Sequence, residues 1–226
     1  TVTYQENGEP AYHVDFAVYA ADNADEKMYI AKGKTYSNEE YRYWEVSDPQ
    51  GLINAIKAEY SGDDAAQFRR VIRYMKKWKS HNFSSSGDSA PTGIALTILA
   101  YDGGFSVKKT YDWSTGKDVY DDFSALYNLV TNIRNRFSYS WSNDAQQMCH
   151  TIILNLPVEP YNNLFSKMTD KQMEDFYQKI NGMYGKLNEV KEKTKKSEAC
   201  TVLVELFGDD FPITVDKSMV GTSESA

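Results

Sequence analysis

Three side chains stand where their type and surroundings could do chemistry. Asp15 lies in Tyr12-His13-Val14-Asp15-Phe16-Ala17-Val18-Tyr19, a run with the pattern of a strand. Side chains alternate across a strand, so Tyr12, Val14, Phe16 and Val18 share one face, and His13, Asp15, Ala17 and Tyr19 the other. A carboxylate projecting from a face that is otherwise small or aromatic can ligate a divalent cation; standing alone, it is more often a hydrogen-bonded edge residue. Lys76 lies in Arg69-Arg70-Val71-Ile72-Arg73-Tyr74-Met75-Lys76-Lys77-Trp78. There Phe68, Val71, Ile72, Met75 and Trp78 recur at helical spacing, and Arg69, Arg73 and Lys76 form a neighbouring row. Lys76 sits beside Ile72 at the edge of the apolar stripe, placed to reach into a cleft, whereas Arg69, Arg70 and Lys77 read as a solvated face. Thr92, between Pro91 and Gly93, falls at the start of an apolar helix, where unpaired amides and the helix dipole favour anions. The plainer role for Thr92 is as a helix cap.

The elements that must position these groups follow from the pattern of the chain. Thr1–Tyr4 and Tyr12–Tyr19 read as strands joined through Glu6–Pro10, and Asn7-Gly8 is a hairpin signal. Met28–Lys32 and Tyr41–Val46 are further strands. Ser47-Asp48-Pro49 caps a helix that carries Leu52, Ile53 and Ile56. Helices are expected over Ala65–Lys79, Ile94–Ala100 and Val119–Phe137. Tyr111–Asp118 reads as a loop, with Tyr101, Tyr111 and Trp113 either stacking a base or, preferably, filling the core. Thr169 and Gln172 form a capping box for a long helix whose stripe is Met173, Phe176, Ile180, Tyr184, Leu187 and Val190. Asn162-Asn163 is best read as a turn.

The 226 residues suffice for a sizeable core, and 25% charged with 41% hydrophobic residues is a globular composition. Lys and Arg number 25 against 32 Asp and Glu, a net charge of −7, which speaks against a partner as long and acidic as RNA or DNA. No apolar run approaches the roughly 20 residues of a membrane span. Two cysteines form no disulfide framework and fit a reducing compartment, so a cytoplasmic protein is expected. Cys149 and His150 are neighbours on a strand and point to opposite faces, which argues against a Cys/His pair.

Together, the Asp15 strand, the Arg70-Val71-Ile72-Arg73-Tyr74-Met75-Lys76-Lys77-Trp78 helix and Pro91-Thr92-Gly93-Ile94-Ala95 resemble the bacterial relatives of cyclic GMP–AMP synthase and oligoadenylate synthetase. These are cyclic-oligonucleotide synthases of the polymerase-β-like nucleotidyltransferase superfamily. Trp44-Glu45-Val46-Ser47-Asp48-Pro49 and Phe207-Gly208-Asp209-Asp210-Phe211-Pro212 are similar to segments of that family, in the same order. The resemblance runs from about Thr1 to Pro212. It implies an α+β fold, with residues 1–50 as later strands of the catalytic sheet, 51–212 as a mostly helical nucleotide-binding lobe and 213–226 as a tail.

The implied activity is synthesis of a cyclic di- or trinucleotide second messenger in anti-phage defence. The substrates would be ATP, GTP or other nucleoside triphosphates, and the product would act on a downstream effector. By the resemblance, Asp15 is the third carboxylate of a two-Mg²⁺ site, and Lys76 and Thr92 contact the triphosphate; Thr stands where the family has Ser. The sequence contains no Asp-x-Asp and no Gly-Ser turn before Asp15, so these residues alone are not expected to make a complete catalyst. Thr1 reads as mid-strand, and the first two carboxylates are expected upstream of it. The alternative is a nucleotide- or RNA-binding module of the same fold without turnover.

Overall fold

The computed structural model describes residues 2–14, 18–21, 27–33, 36–84 and 90–214. The chain divides into two compact units, Thr1–Ala55 with Leu156–Asn162, and Ile56–Asn155 with Asn163–Ala226.

In the first unit, β1 (Val2–Glu6) and β2 (Glu9–Val14) form an antiparallel hairpin. The connection is a two-residue turn, shorter than the Glu6–Pro10 loop expected from sequence. Asn7 and Gly8 both take positive φ, 55° and 85°, the geometry whose twist matches paired strands and which Asn-Gly tolerates. Tyr4 and Tyr12 face each other across the pair with stacked rings 4.7 Å apart. Of the single strand expected over Tyr12–Tyr19, Tyr12–Val14 lie in β2, and Tyr19 opens β3 (Tyr19–Ala21), which joins β4 (Met28–Ala31) and β5 (Trp44–Val46) in a separate three-stranded antiparallel sheet. Asp15 lies between β2 and β3, outside the described residues.

Helix α1 (Pro49–Glu59) starts where Ser47-Asp48-Pro49 predicts, with the Gly51 amide donating to Asp48 Oδ1 at 2.7 Å. A Cβ on Gly51 would fall 1.9 Å from Asp48 Oδ2, so glycine is what lets the cap close. Residues 156–162 join this unit through Glu159 and Asn162. Lys27 Nζ donates to Glu159 Oε1 at 2.6 Å, the Asp48 amide donates to the Glu159 carbonyl at 3.2 Å, and Asn162 Nδ2 donates to Glu45 Oε1 at 2.9 Å.

The second unit is mostly helical: α2 (Gly62–Asn82), α3 (Gly93–Leu99), α4 (Asp122–Asn135), α5 (Asp170–Glu192) and α6 (Lys196–Phe207). Two hairpins join them, β6 (Lys109–Asp112) with β7 (Lys117–Tyr120), and β8 (Ser138–Ser142) with β9 (Gln147–Thr151). The α2 stripe is buried as its spacing predicts, Phe68, Val71, Ile72, Met75 and Trp78 all lying in the core beside Leu129, Ile133, Phe176 and Ile180. The capping box of α5 is complete: the Gln172 amide donates to Thr169 Oγ1, and the Thr169 amide to Gln172 Oε1. Along α5, Met183 takes the buried position expected of Tyr184, which is half-buried.

The segment Tyr111–Asp118 is a hairpin rather than a loop, because Asp112 ties its own turn. Its carboxylate accepts from the Ser114 amide and hydroxyl and from the Thr115 hydroxyl. The rings on that hairpin are not core: Tyr111 is exposed, and Trp113 keeps 89% of its surface in solvent.

Candidate functional site

Helix α2 has three faces, and their side chains are committed differently. Its apolar stripe enters the core. A second face binds other elements. Gln67, fully buried, pairs its amide with the Lys108 backbone, Nε2 donating to the carbonyl at 2.9 Å and Oε1 accepting from the amide at 3.0 Å. Arg70 makes a two-pronged ion pair with Asp122 in the first turn of α4, at 2.6 and 2.8 Å, and Tyr74 donates to the same carboxylate at 3.1 Å. The Arg70 guanidinium, with hydrogen bonds from Gln67 and Tyr74, holds the Asp122 carboxyl below its usual range despite burial. Burial, with the Asp122 charge adding, pushes the Tyr74 phenol up. Lys77 grips both oxygens of Asp210 at 2.7 Å. Arg70 and Lys77 are therefore structural cations rather than merely solvated ones.

The third face carries Arg69, Arg73 and Lys76, one above the other at spacings of four and three residues. With Lys57 of α1 they line a cleft of about 440 Å³ whose floor includes Ile56, Tyr60, Phe68 and Ile72. Among the described residues none of these four cations makes an ion pair, and the lining includes no carboxylate. Among the described residues Arg73 Nε donates to the Arg69 carbonyl, at 3.3 Å. Unpaired positive charges gathered over apolar walls in a chain of net charge −7 leave an anion as the complementary ligand.

Lys76 closes one end of this cleft against the start of α3. A Cβ on Gly93 would lie 3.6 Å from Lys76 Cε and 4.0 Å from Nζ, so the ammonium rests beside the residue that follows Thr92. Thr92 is the cap of α3, its Oγ1 accepting from the Ala95 amide at 3.2 Å. That bond uses the hydroxyl as an acceptor and leaves its proton free to donate. Thr97, one turn on, lines the cleft while its hydroxyl donates back to the Gly93 carbonyl at 3.0 Å. The corner therefore offers donors: an ammonium, a hydroxyl and the first amides of a helix, which have no partner within it. An oxyanion is what such a set can hold.

The structure thus sets Lys76 beside Gly93, the residue after Thr92, while Asp15 lies outside the described residues. No group of three or more His, Cys, Asp or Glu suited to a metal ion occurs among the described residues. Nor is any described helix long and apolar enough to cross a membrane. Asn163 serves its turn, accepting from the Leu154 and Phe165 amides, and Asn162 is held by Glu45. Lys57 is the lining cation that sequence reasoning missed, since it comes from another helix. Arg69 and Arg73 were visible as a row with Lys76.

No protein-family model matches the chain. Solved structures do. Vibrio cholerae DncV cyclic AMP-GMP synthase, in complex with the linear intermediate 5′ pppA(3′,5′)pG, aligns with a TM-score of 0.54 and 18% identity, over 88% of this chain and 46% of its own. The 3′-deoxy ATP bound form of the same enzyme aligns at 0.55 and 20% identity, over 88% and 48%. Escherichia coli DncV in its 3′-deoxy GTP bound form aligns at 0.54 and 17% identity, over 84% and 45%. The fold is DncV-like. It is the polymerase-β-like nucleotidyltransferase fold expected from the sequence, and the chain spans about half the length of the DncV structures it matches. At these identities the likeness concerns the fold alone.

Proposed function

We propose that this chain belongs to a nucleotidyltransferase that joins nucleoside triphosphates into a cyclic di- or trinucleotide, a second messenger in anti-phage defence. The observation that carries the reading is the cleft end where Lys76, unpaired among the described residues, lies against the Thr92–Gly93 corner. In it the triphosphate of ATP or GTP is bound by the Lys76 ammonium, the Thr92 hydroxyl proton and the first amides of α3. These groups neutralise and orient the phosphates, which is most of what a protein contributes to phosphoryl or nucleotidyl transfer. The named DncV structures, solved with a linear intermediate and nucleotide analogues, support the substrate class through the shared fold. Mg²⁺ enters the proposal through Asp15 as one ligand. A single carboxylate does not hold such an ion, so further ligands would have to complete the site.

The test is calorimetric titration of ATP with Mg²⁺ into the chain and its Lys76→Ala variant. Losing one charge-assisted contact of this kind is expected to weaken ATP about ten-fold. Equal affinity in both proteins would remove Lys76 from the site. A second reading is a nucleotide-holding module of the same fold without turnover. It predicts the same ATP affinity and no cyclic product from the whole protein.

A further inference from the structure

The Phe207-Gly208-Asp209-Asp210-Phe211-Pro212 run takes no part in the triphosphate corner. It ends α6 and turns the chain back on that helix. Gly208 takes φ 99°, a conformation that L side chains rarely adopt, and a Cβ there would lie 3.2 Å from His81 Nδ1 and 3.3 Å from Asp210 Oδ1. The Phe211 amide donates to the Gly208 carbonyl at 3.0 Å, and the turn stacks Phe211 on Phe207, with ring centroids 5.6 Å apart and planes 22° from parallel. With Pro212, Leu203 of α6, and Phe123 and Leu126 of α4, these rings wall a cavity of about 510 Å³. From α2, Tyr74 and Lys77 reach its rim, whereas Arg69, Arg73 and Lys76 line the cleft, and the two linings share no residue.

The charges on the cavity's rim are Lys77, Asp122 and Asp210, and each already has a partner. Lys77 holds both oxygens of Asp210, and Asp122 is held by Arg70 and the Tyr74 hydroxyl. Charge complementarity therefore differs between the two faces of α2. The unpaired cations of the cleft suit an anion. The paired rim suits a ligand without charge, which leaves both ion pairs in place, whereas a phosphate there would meet two carboxylates. Stacked phenyl rings and aliphatic walls suit a flat apolar body. We propose that the cavity between α2, α4 and α6 binds an uncharged aromatic small molecule of about two or three rings, a size that its volume accommodates. The proposal stands apart from the triphosphate reading, which uses neither α4 nor α6.

The experiment is a fluorescence titration of the 226-residue chain with two matched dyes, uncharged 1-anilinonaphthalene and its 8-sulfonate, the same skeleton carrying an anion. Leu203 is half-buried, so Leu203→Trp should fill the cavity from its wall. Phe211→Ala removes one of the stacked rings without adding bulk, and serves where the larger residue disturbs folding. Each variant, once circular dichroism shows it folded, should weaken the uncharged dye at least about five-fold. Lys76→Ala should leave that dye within about two-fold, and saturating ATP should not displace it. The sulfonate should bind the cavity more weakly, read as the part of its signal that Leu203→Trp removes. No binding of the uncharged dye, unchanged affinity in the folded variants, displacement by ATP, or tighter binding of the sulfonate at the cavity would each overturn the proposal. Dye binding that falls as protein concentration rises, with dimers in sedimentation, would put a second copy in the cavity and overturn it too. The triphosphate reading is judged separately, by ATP against Lys76→Ala, so either can fail alone.

Discussion

Thr92 separates two roles that one hydroxyl can play. As a cap it accepts from the Ala95 amide, and as a ligand it would donate its proton to phosphate. Thr92→Ala removes both. We expect it to cost about 1 kcal/mol of stability, the usual worth of such a cap, and to weaken ATP as well. Thr92→Ser keeps the oxygen and should restore both, read by denaturant unfolding and calorimetry side by side. Recovered stability without recovered affinity would leave Thr92 as a cap only. At this scale the sequence was partly legible. The edge position of Lys76 beside Ile72 and the Pro91-Thr92-Gly93 start gave the corner directly. Lys57 was not legible, because its proximity to Arg69 depends on how α1 and α2 pack and no spacing along the chain encodes that.

Among the elements, the contact of α2 with α4 depends on Asp122. Its carboxyl is held below the usual range, chiefly by Arg70, so in the unfolded chain it titrates near the ordinary value of about 3.9 and in the folded chain lower. The sign follows: the pair's contribution is fully present above the unfolded value and is lost as pH falls through the folded one. We therefore expect stability to drop below about pH 4, with a shallower drop in Asp122→Asn. Thermal melting across that range checks it, and identical acid profiles for the two proteins would contradict it. Asp122→Ala, which leaves Arg70 and Tyr74 without their partner, should cost about 2 kcal/mol at neutral pH. Elements carrying their own local signal were readable: the α5 capping box at Thr169 and Gln172, the Asp48 cap of α1 and the α2 stripe. The β6–β7 hairpin was not, since Asp112, Ser114, Thr115 and Gly116 signal only a turn, and the flanking Lys109–Asp112 and Lys117–Tyr120 lack a clear apolar alternation.

For the whole molecule, net charge and local charge point in opposite directions. The chain carries −7, yet four cations unpaired among the described residues share one cleft. ATP affinity should accordingly fall with salt, because raising ionic strength from about 0.1 M to about 1 M shortens the screening length from ~10 Å to ~3 Å. Salt-independent affinity would mean that the cleft charges do not see the ligand. The DncV-like fold was legible through ordered motifs rather than composition. Residues 156–162 were not legible as part of the first unit, because contacts such as Lys27 to Glu159 join positions 132 residues apart. The triphosphate corner is tested by nuclear magnetic resonance of the isotope-labelled chain titrated with ATP. The account predicts the largest shifts at the Gly93 and Ile94 amides and the Lys76 ammonium; saturating ATP that leaves those signals in place while moving others would contradict it.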